Sequence, residues 1–285
     1  MHPECKSPGM QRIWLIGGTS ESREVADRLS VAGLPWVATV TSDRARRLYA
    51  AWPEQPVWVG RLDPGRLGPW LTQAQIGAIV DASHPFAVEI SRLAIATGLP
   101  YLRYERSPIP PDPATIVLPN FAALLAPEFA PESTPESAPE STPGSAPEFA
   151  PNYLDGRRVL LTTGVKNLEL VRPWLGRSHL WARILPTAAS RQAAIAAGFP
   201  PDRLVPQQLP TTFAAERSLW QRLGIDTVVM KAAGAASGAD LKQAVARSLG
   251  IRTIMIARPA IAYPAQTSDL GAIVPWLRRL QNGAC

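Results

Sequence analysis

Apolar stretches of strand length alternate with helical stretches from Ile13 to about Tyr104, and the alternation resumes at Arg158. Short apolar runs separated by crossover-length helices predict parallel sheets of the α/β class. In the first half, strands are expected at Ile13 to Ile16, Trp36 to Thr41, Val57 to Val59, Ile76 to Asp81 and Tyr101 to Tyr104. Helices are expected near Glu21 to Val31, Pro64 to Gln73 and Phe86 to Thr97. The second half repeats the rhythm, with strands at Val159 to Thr162, Leu180 to Leu185, Arg203 to Val205, Thr227 to Lys231 and Thr253 to Ala257. Its helices fit Asn167 to Leu175, Ala188 to Ala197, Thr211 to Leu223, Ala239 to Leu249 and Leu270 to Gln281.

Between the halves the pattern stops. In "APEFAPESTPESAPESTPGSAPEFAPN", Ala126 to Asn152, proline recurs every four residues. Each proline removes a backbone donor and restricts the residue before it, so a solvated tether is expected. The implied organisation is one domain over 11–115, an insertion over 116–155 and a second domain over 156–285.

Length and composition narrow the class. A chain of 285 residues, 46% apolar, can build two full α/β cores. No apolar run approaches the roughly 18 residues of a membrane span. The opening "MHPECKSPGMQR" has no apolar signal region, which makes the cytoplasm the expected compartment. Cys5 and Cys285 have no metal-ligand spacing with the three histidines, so no zinc site is expected. The net charge is +6, and only four of the 29 basic residues are lysine: Lys6, Lys166, Lys231 and Lys242. Arginine presents a planar fork that suits carboxylates and phosphates, which points to an anionic small-molecule partner. The basic residues are scattered, without a basic helix, so nucleic acid is not expected.

Three stretches carry candidate chemistry. In "IWLIGGTSESREVADRL" a strand runs through Gly17 and Gly18 into a helix, with Thr19 and Ser20 at the helix start. Glycines let backbone approach a phosphate, and the helix N-terminus favours the negative charge, although a tight βα turn alone would need the same residues. After the second strand, "TSDRARRL" places Ser42 and Arg44 where a dinucleotide fold puts the adenosine ribose, a pairing suited to a 2′-phosphate. Asp43 opposes that reading unless it points away, as alternate residues of an extended segment do. "DASHPFAVEIS" sets Asp81, Ser83, His84, Pro85 and Phe86 at the end of the fourth strand. There Ser83 and Pro85 can simply open a helix, or Asp81 and His84 can serve a ligand. No tyrosine is followed four residues later by lysine, so Tyr/Lys reductase chemistry is absent.

The stretches "LIGGTSESREVADRL", "DASHPFAVEIS", "YLRYER", "LLTTGVKNL", "ARILP" and "KAAGAASGADLKQAVARSLGIRTIMIARP", in this order, resemble the precorrin-6A reductase family of cobalamin biosynthesis. The resemblance implies two Rossmann-like domains with the substrate in the cleft between them. It implies NADPH-dependent reduction of an anionic corrinoid precursor, precorrin-6A or its cobalt form, with handover contacts to neighbouring pathway enzymes. Asp81, Ser83 and His84 are then the candidate catalytic residues. Gly17, Gly18, Thr19, Ser20, Ser42, Arg44, Pro85 and Phe86 would hold the cofactor. Arg103, Arg106, Thr163, Lys166, Arg183, Lys231 and Arg258, at or after strand ends, would meet substrate carboxylates. A non-catalytic NADP-sensing protein with the same turn is the alternative.

Overall fold

The structure, a computed structural model, describes residues 11–125, 153–208, 211–234 and 237–282. The expected tether, Ala126 to Asn152, lies outside the described residues. In chain order the elements begin with β1 (Arg12–Ile16), α1 (Ser20–Val31), β2 (Trp36–Val40), α2 (Asp43–Arg46), β3 (Val57–Val59), α3 (Pro64–Ala74), β4 (Ile76–Asp81), α4 (Val88–Ile95) and β5 (Tyr101–Tyr104). There follow β6 (Ile116–Leu118), β7 (Arg158–Leu161), β8 (His179–Ile184), α5 (Ala188–Ala196), β9 (Leu204–Pro206), α6 (Phe213–Leu223), β10 (Thr227–Lys231), α7 (Ala239–Leu249) and β11 (Arg252–Ile256). The last two are β12 (Gln266–Thr267) and α8 (Ile273–Asn282).

The chain divides into two compact units: residues up to Ser107 with those from Pro259 onward, and Pro108–Arg258. The first contains a six-stranded sheet of order β12-β5-β4-β1-β2-β3, and the second one of order β6-β11-β10-β7-β8-β9. Every described strand pair is parallel. Each order is the doubly wound α/β arrangement, in which the chain reverses direction beside the first strand and ligands gather at the carboxyl ends of the strands. The α/β class expected from the alternation is thus present in both units.

Burial on both faces explains why the strands are continuously apolar. In the first unit Leu15, Trp36 and Val80 pack with Val25 and Leu29 of α1 and Ile273 and Leu277 of α8. On the other face Trp14, Ile16, Val37 and Ile79 pack with Leu67 of α3 and Ala94 of α4. In the second unit Leu160, Trp181, Val228, Met230 and Met255 meet Trp220 of α6 and Val245 of α7.

The boundaries differ from those expected. Residues from Pro259 return to the first unit, because β12 pairs with β5 and α8 covers its sheet. Ile116–Leu118, placed in the insertion by composition, is β6, paired with β11. Leu124 and Leu154, also placed there, are fully buried. Between Val165 and Trp174 the chain forms two 310 turns instead of a helix, Pro173 having removed a donor from the second.

Candidate active site

The glycine turn is held by hydroxyls. Thr19 caps α1, its Oγ1 accepting from Ser22 N at 3.0 Å and donating to Ala82 O at 2.8 Å. Ser22 Oγ accepts from Gly18 N at 3.1 Å and Thr19 N at 3.0 Å, and donates to Thr19 O at 2.7 Å. Gly18 has φ +102°, a conformation that favours glycine. The N–H groups of Gly18 and Thr19 are therefore committed to the turn itself. Those of Ser20 and Glu21, in the first turn of α1, have no acceptor within the helix. Because Thr19 bonds Ala82, the glycine turn and the Asp81–Phe86 loop share one sheet edge.

Asp81 ends β4 with no exposed surface. Its Oδ1 accepts from Ser83 N at 2.9 Å and Arg103 Nη1 at 2.8 Å. Its Oδ2 accepts from Ser91 Oγ and from Tyr101 Oη, both at 2.6 Å. Arg103, 1% exposed, also donates to Ser83 Oγ at 3.1 Å, Ser83 O at 3.0 Å and Glu105 Oε2 at 2.8 Å, and lies over the Tyr263 ring. The Tyr101 hydroxyl is pushed up by burial and then by the charge of Asp81, which keeps it a donor. Asp81 and Ser83, expected to be catalytic, and Arg103, expected to meet substrate, are instead buried and spent on one another. The network fixes the loop from below.

That loop differs from the expected helix start. Ser83 does not cap α4; Pro85 and Phe86 lie in a turn closed by Ala87 N on His84 O at 2.8 Å, and α4 begins at Val88. Pro85 is buried and Phe86 half-buried, whereas His84 is exposed at the loop's crest. Its Nδ1 accepts from Phe86 N at 3.2 Å, so the neutral ring carries its proton on Nε2.

Ser42 and Arg44 lie beside the glycine turn, Ala45 Cβ coming within 3.9 Å of the position a Cβ on Gly18 would take. Both are exposed; Ser42 is extended and its Oγ caps α2, accepting from Ala45 N at 3.3 Å, whereas Asp43 and Arg44 already lie in the helix. The alternating-side argument for Asp43 therefore fails. Arg106, expected to meet substrate, pairs with Glu21 in the first turn of α1 at 2.8 Å.

In the second unit Lys231 Nζ donates to Thr163 O at 2.6 Å, and Arg258 Nε to Ala232 O at 2.7 Å. Burial, followed by the charge of nearby exposed Lys166, lowers Lys231 to about 8. Thr163 Oγ1 is buried without a hydrogen-bond partner among the described residues. These four residues occupy the carboxyl ends of β7, β10 and β11. Arg183, one residue before the carboxyl end of β8, is 6% exposed and paired with buried Glu216, which also accepts from Trp220 Nε1 at 3.1 Å. Its guanidinium faces Glu216, with Nε and Nη1 buried and without a hydrogen-bond partner among the described residues. Sequence reasoning missed Ser22, Tyr49, Ser91 and Tyr101. Only Ser91 left a signal, one helical turn into the segment after Asp81.

The first unit is thus a doubly wound parallel α/β sheet with a glycine turn at its switch point, a basic segment after the second strand and an exposed histidine after the fourth. Residues 12–278 match the family described as Precorrin-6x reductase CbiJ/CobK. The chain belongs to this family, whose members are oxidoreductases of cobalamin biosynthesis. It is 36% identical to the cobalt-precorrin-6A reductase of Synechocystis sp., over 94% of this chain and 96% of that one. With the precorrin-6A reductase of Mycobacterium tuberculosis (strain H37Rv) it shares 31% identity over 96% of this chain and all of the relative. The solved structure of CobK precorrin-6A reductase superposes with a TM-score of 0.68 at 25% identity, covering 95% of this chain and 97% of that one. Among the described residues no helix is long and apolar enough to cross a membrane.

Proposed function

We propose that this chain reduces precorrin-6A, or cobalt-precorrin-6A, to the 6B form with NADPH, saturating one carbon–carbon bond of the ring system. The observation that carries the reading is the junction at one sheet edge of the glycine turn, the Ser42–Arg44 segment and the His84 loop, through Thr19 on Ala82 and Ala45 against Gly18. The residues fit a dinucleotide: Gly18 leaves the turn without a side chain, and the Ser20 and Glu21 amides with the α1 dipole suit a pyrophosphate. Exposed Arg44 suits a 2′-phosphate. NADPH, when bound, supplies the hydride.

The chain does the rest. Asp81, Ser83 and Arg103 position the His84 loop, and His84 Nε2–H orients the cofactor carboxamide or, once Nδ1 has exchanged its bond to Phe86 N for a proton from solvent, the imidazolium hands a proton to the ring carbon beside the one that receives the hydride and returns to neutral. In the second unit Lys166, Lys231 and Arg258 meet substrate carboxylates, and Thr163 Oγ1 donates to one of them. NADPH oxidation followed with purified precorrin-6A and cobalt-precorrin-6A, with NADH in parallel, tests the reading. Turnover with NADPH on either substrate is expected. Tight NADPH binding without turnover on both would leave a sensor.

A further inference from the structure

Tyr49 closes the short segment that begins at Ser42, and it is buried, its ring 5.9 Å from that of Trp36. Its hydroxyl is not in the apolar core. It lies under the glycine turn, 3.2 Å from Gly18 N and 2.7 Å from Ser22 Oγ. Ser22 Oγ spends its proton on Thr19 O, so Tyr49 donates to Ser22 and accepts from Gly18. A Cβ on Gly17 would collide with Tyr49 Oη, which explains why the first residue of the turn must be glycine. Burial raises the phenol above its ordinary value, outweighing the bonds to Ser22 and Gly18, and so preserves the proton this arrangement needs.

The geometry points to Tyr49 as a positioning residue for the dinucleotide: its hydroxyl, through Ser22 and Gly18, sets the turn so that the Ser20 and Glu21 amides face the pyrophosphate. The inference rests on the cofactor reading above. It deepens that reading, because the segment offering Ser42 and Arg44 to the 2′-phosphate ends in the side chain that shapes the pyrophosphate turn. The hydroxyl acts on the part that NADPH and NADH share.

Tyr49→Phe removes only the oxygen, and Ser22→Ala removes its partner. Dissociation constants for NADPH and NADH by fluorescence titration, melting temperatures, and KM and kcat for NADPH form the test. For both variants we expect about fivefold weaker binding of both cofactors, the value of one hydrogen bond, with the NADPH-to-NADH preference unchanged. KM for NADPH should rise by the same factor while kcat stays within twofold. Unchanged affinity in both variants, or loss confined to NADPH, overturns the role of Tyr49 while leaving the cofactor reading intact. An unaltered protein that binds neither cofactor overturns both.

Discussion

In the first unit the central strand β1 passes through a glycine turn into the twelve-residue helix α1, whereas its counterpart in the second unit, β7, passes through Thr162–Gly164 into 310 turns interrupted by Pro173. Both strands sit between the same neighbours in the order, β2 and β4 in one unit, β8 and β10 in the other. A long helix places a dipole and unpaired amides at the sheet edge, which suits phosphate. Without one, the second edge offers side chains, Lys166, Lys231 and Arg258, whose cationic heads suit carboxylates. On the proposed reading, the topology sets where a ligand lies and the element after the central strand sets its chemistry. The sixth strands differ as well: β12 reaches the first sheet from the chain's end, and β6 precedes the rest of its own.

Substitutions can break this contrast. The largest effect is expected from Asp81→Ala, which strands buried Arg103: a loss of about 3–5 kcal/mol in urea unfolding, whereas an effect under 1 kcal/mol would mean the network is dispensable. His84→Ala should lower kcat about a hundredfold with little change in NADPH affinity or melting temperature, as removal of a proton-transfer group does. An unchanged kcat with lower stability would make it a loop residue only. Arg44→Ala should weaken NADPH at least tenfold and leave NADH nearly untouched, since a charged hydrogen bond contributes about 1.5–3 kcal/mol. Equal weakening would move the 2′-phosphate elsewhere. Lys231→Ala should do the reverse, raising KM for the corrinoid severalfold at constant NADPH affinity. In the unaltered protein that KM should climb as pH passes about 8, where Lys231 loses its proton.

The smallest effect concerns stability. Lys242, buried behind Arg183, is lowered to about 8 by burial and then by the Arg183 charge. Between that value and the roughly 10.4 of an unfolded lysine the unfolded chain binds more protons, so folding stability should rise with pH across this window. Lys231, lowered to the same value, contributes as well, so Lys242→Met should roughly halve the rise in denaturant titrations. An unchanged slope would show that other groups cause it.

Much of the fold is legible because strands buried on both faces leave continuous apolar runs, as Ile76–Asp81 and Thr227–Lys231 do. β6 and β12 were not legible as members of their sheets: three and two residues long, they are defined by partners far away in the chain. The Gly17–Ser20 turn could be read from local backbone demands. Arg103 and Arg183 could not, because a strand-end arginine looks the same in sequence whether it faces a ligand or a buried carboxylate. The conformation of Ser42–Arg44 was hidden for a similar reason, since the capping of α2 by Ser42 depends on a four-residue helix too short to show periodicity.

Transfer of deuterium settles whether the first unit's edge delivers a hydride to a corrinoid. NADPH carrying deuterium at the transferable position of the nicotinamide would be incubated with the protein and each precursor, and the product analysed by mass spectrometry. A product with a single cofactor-derived deuterium is expected, formed with NADPH far faster than with NADH. Cofactor that binds but leaves both precursors unreduced, or a reduced product free of deuterium, would contradict the proposed reaction.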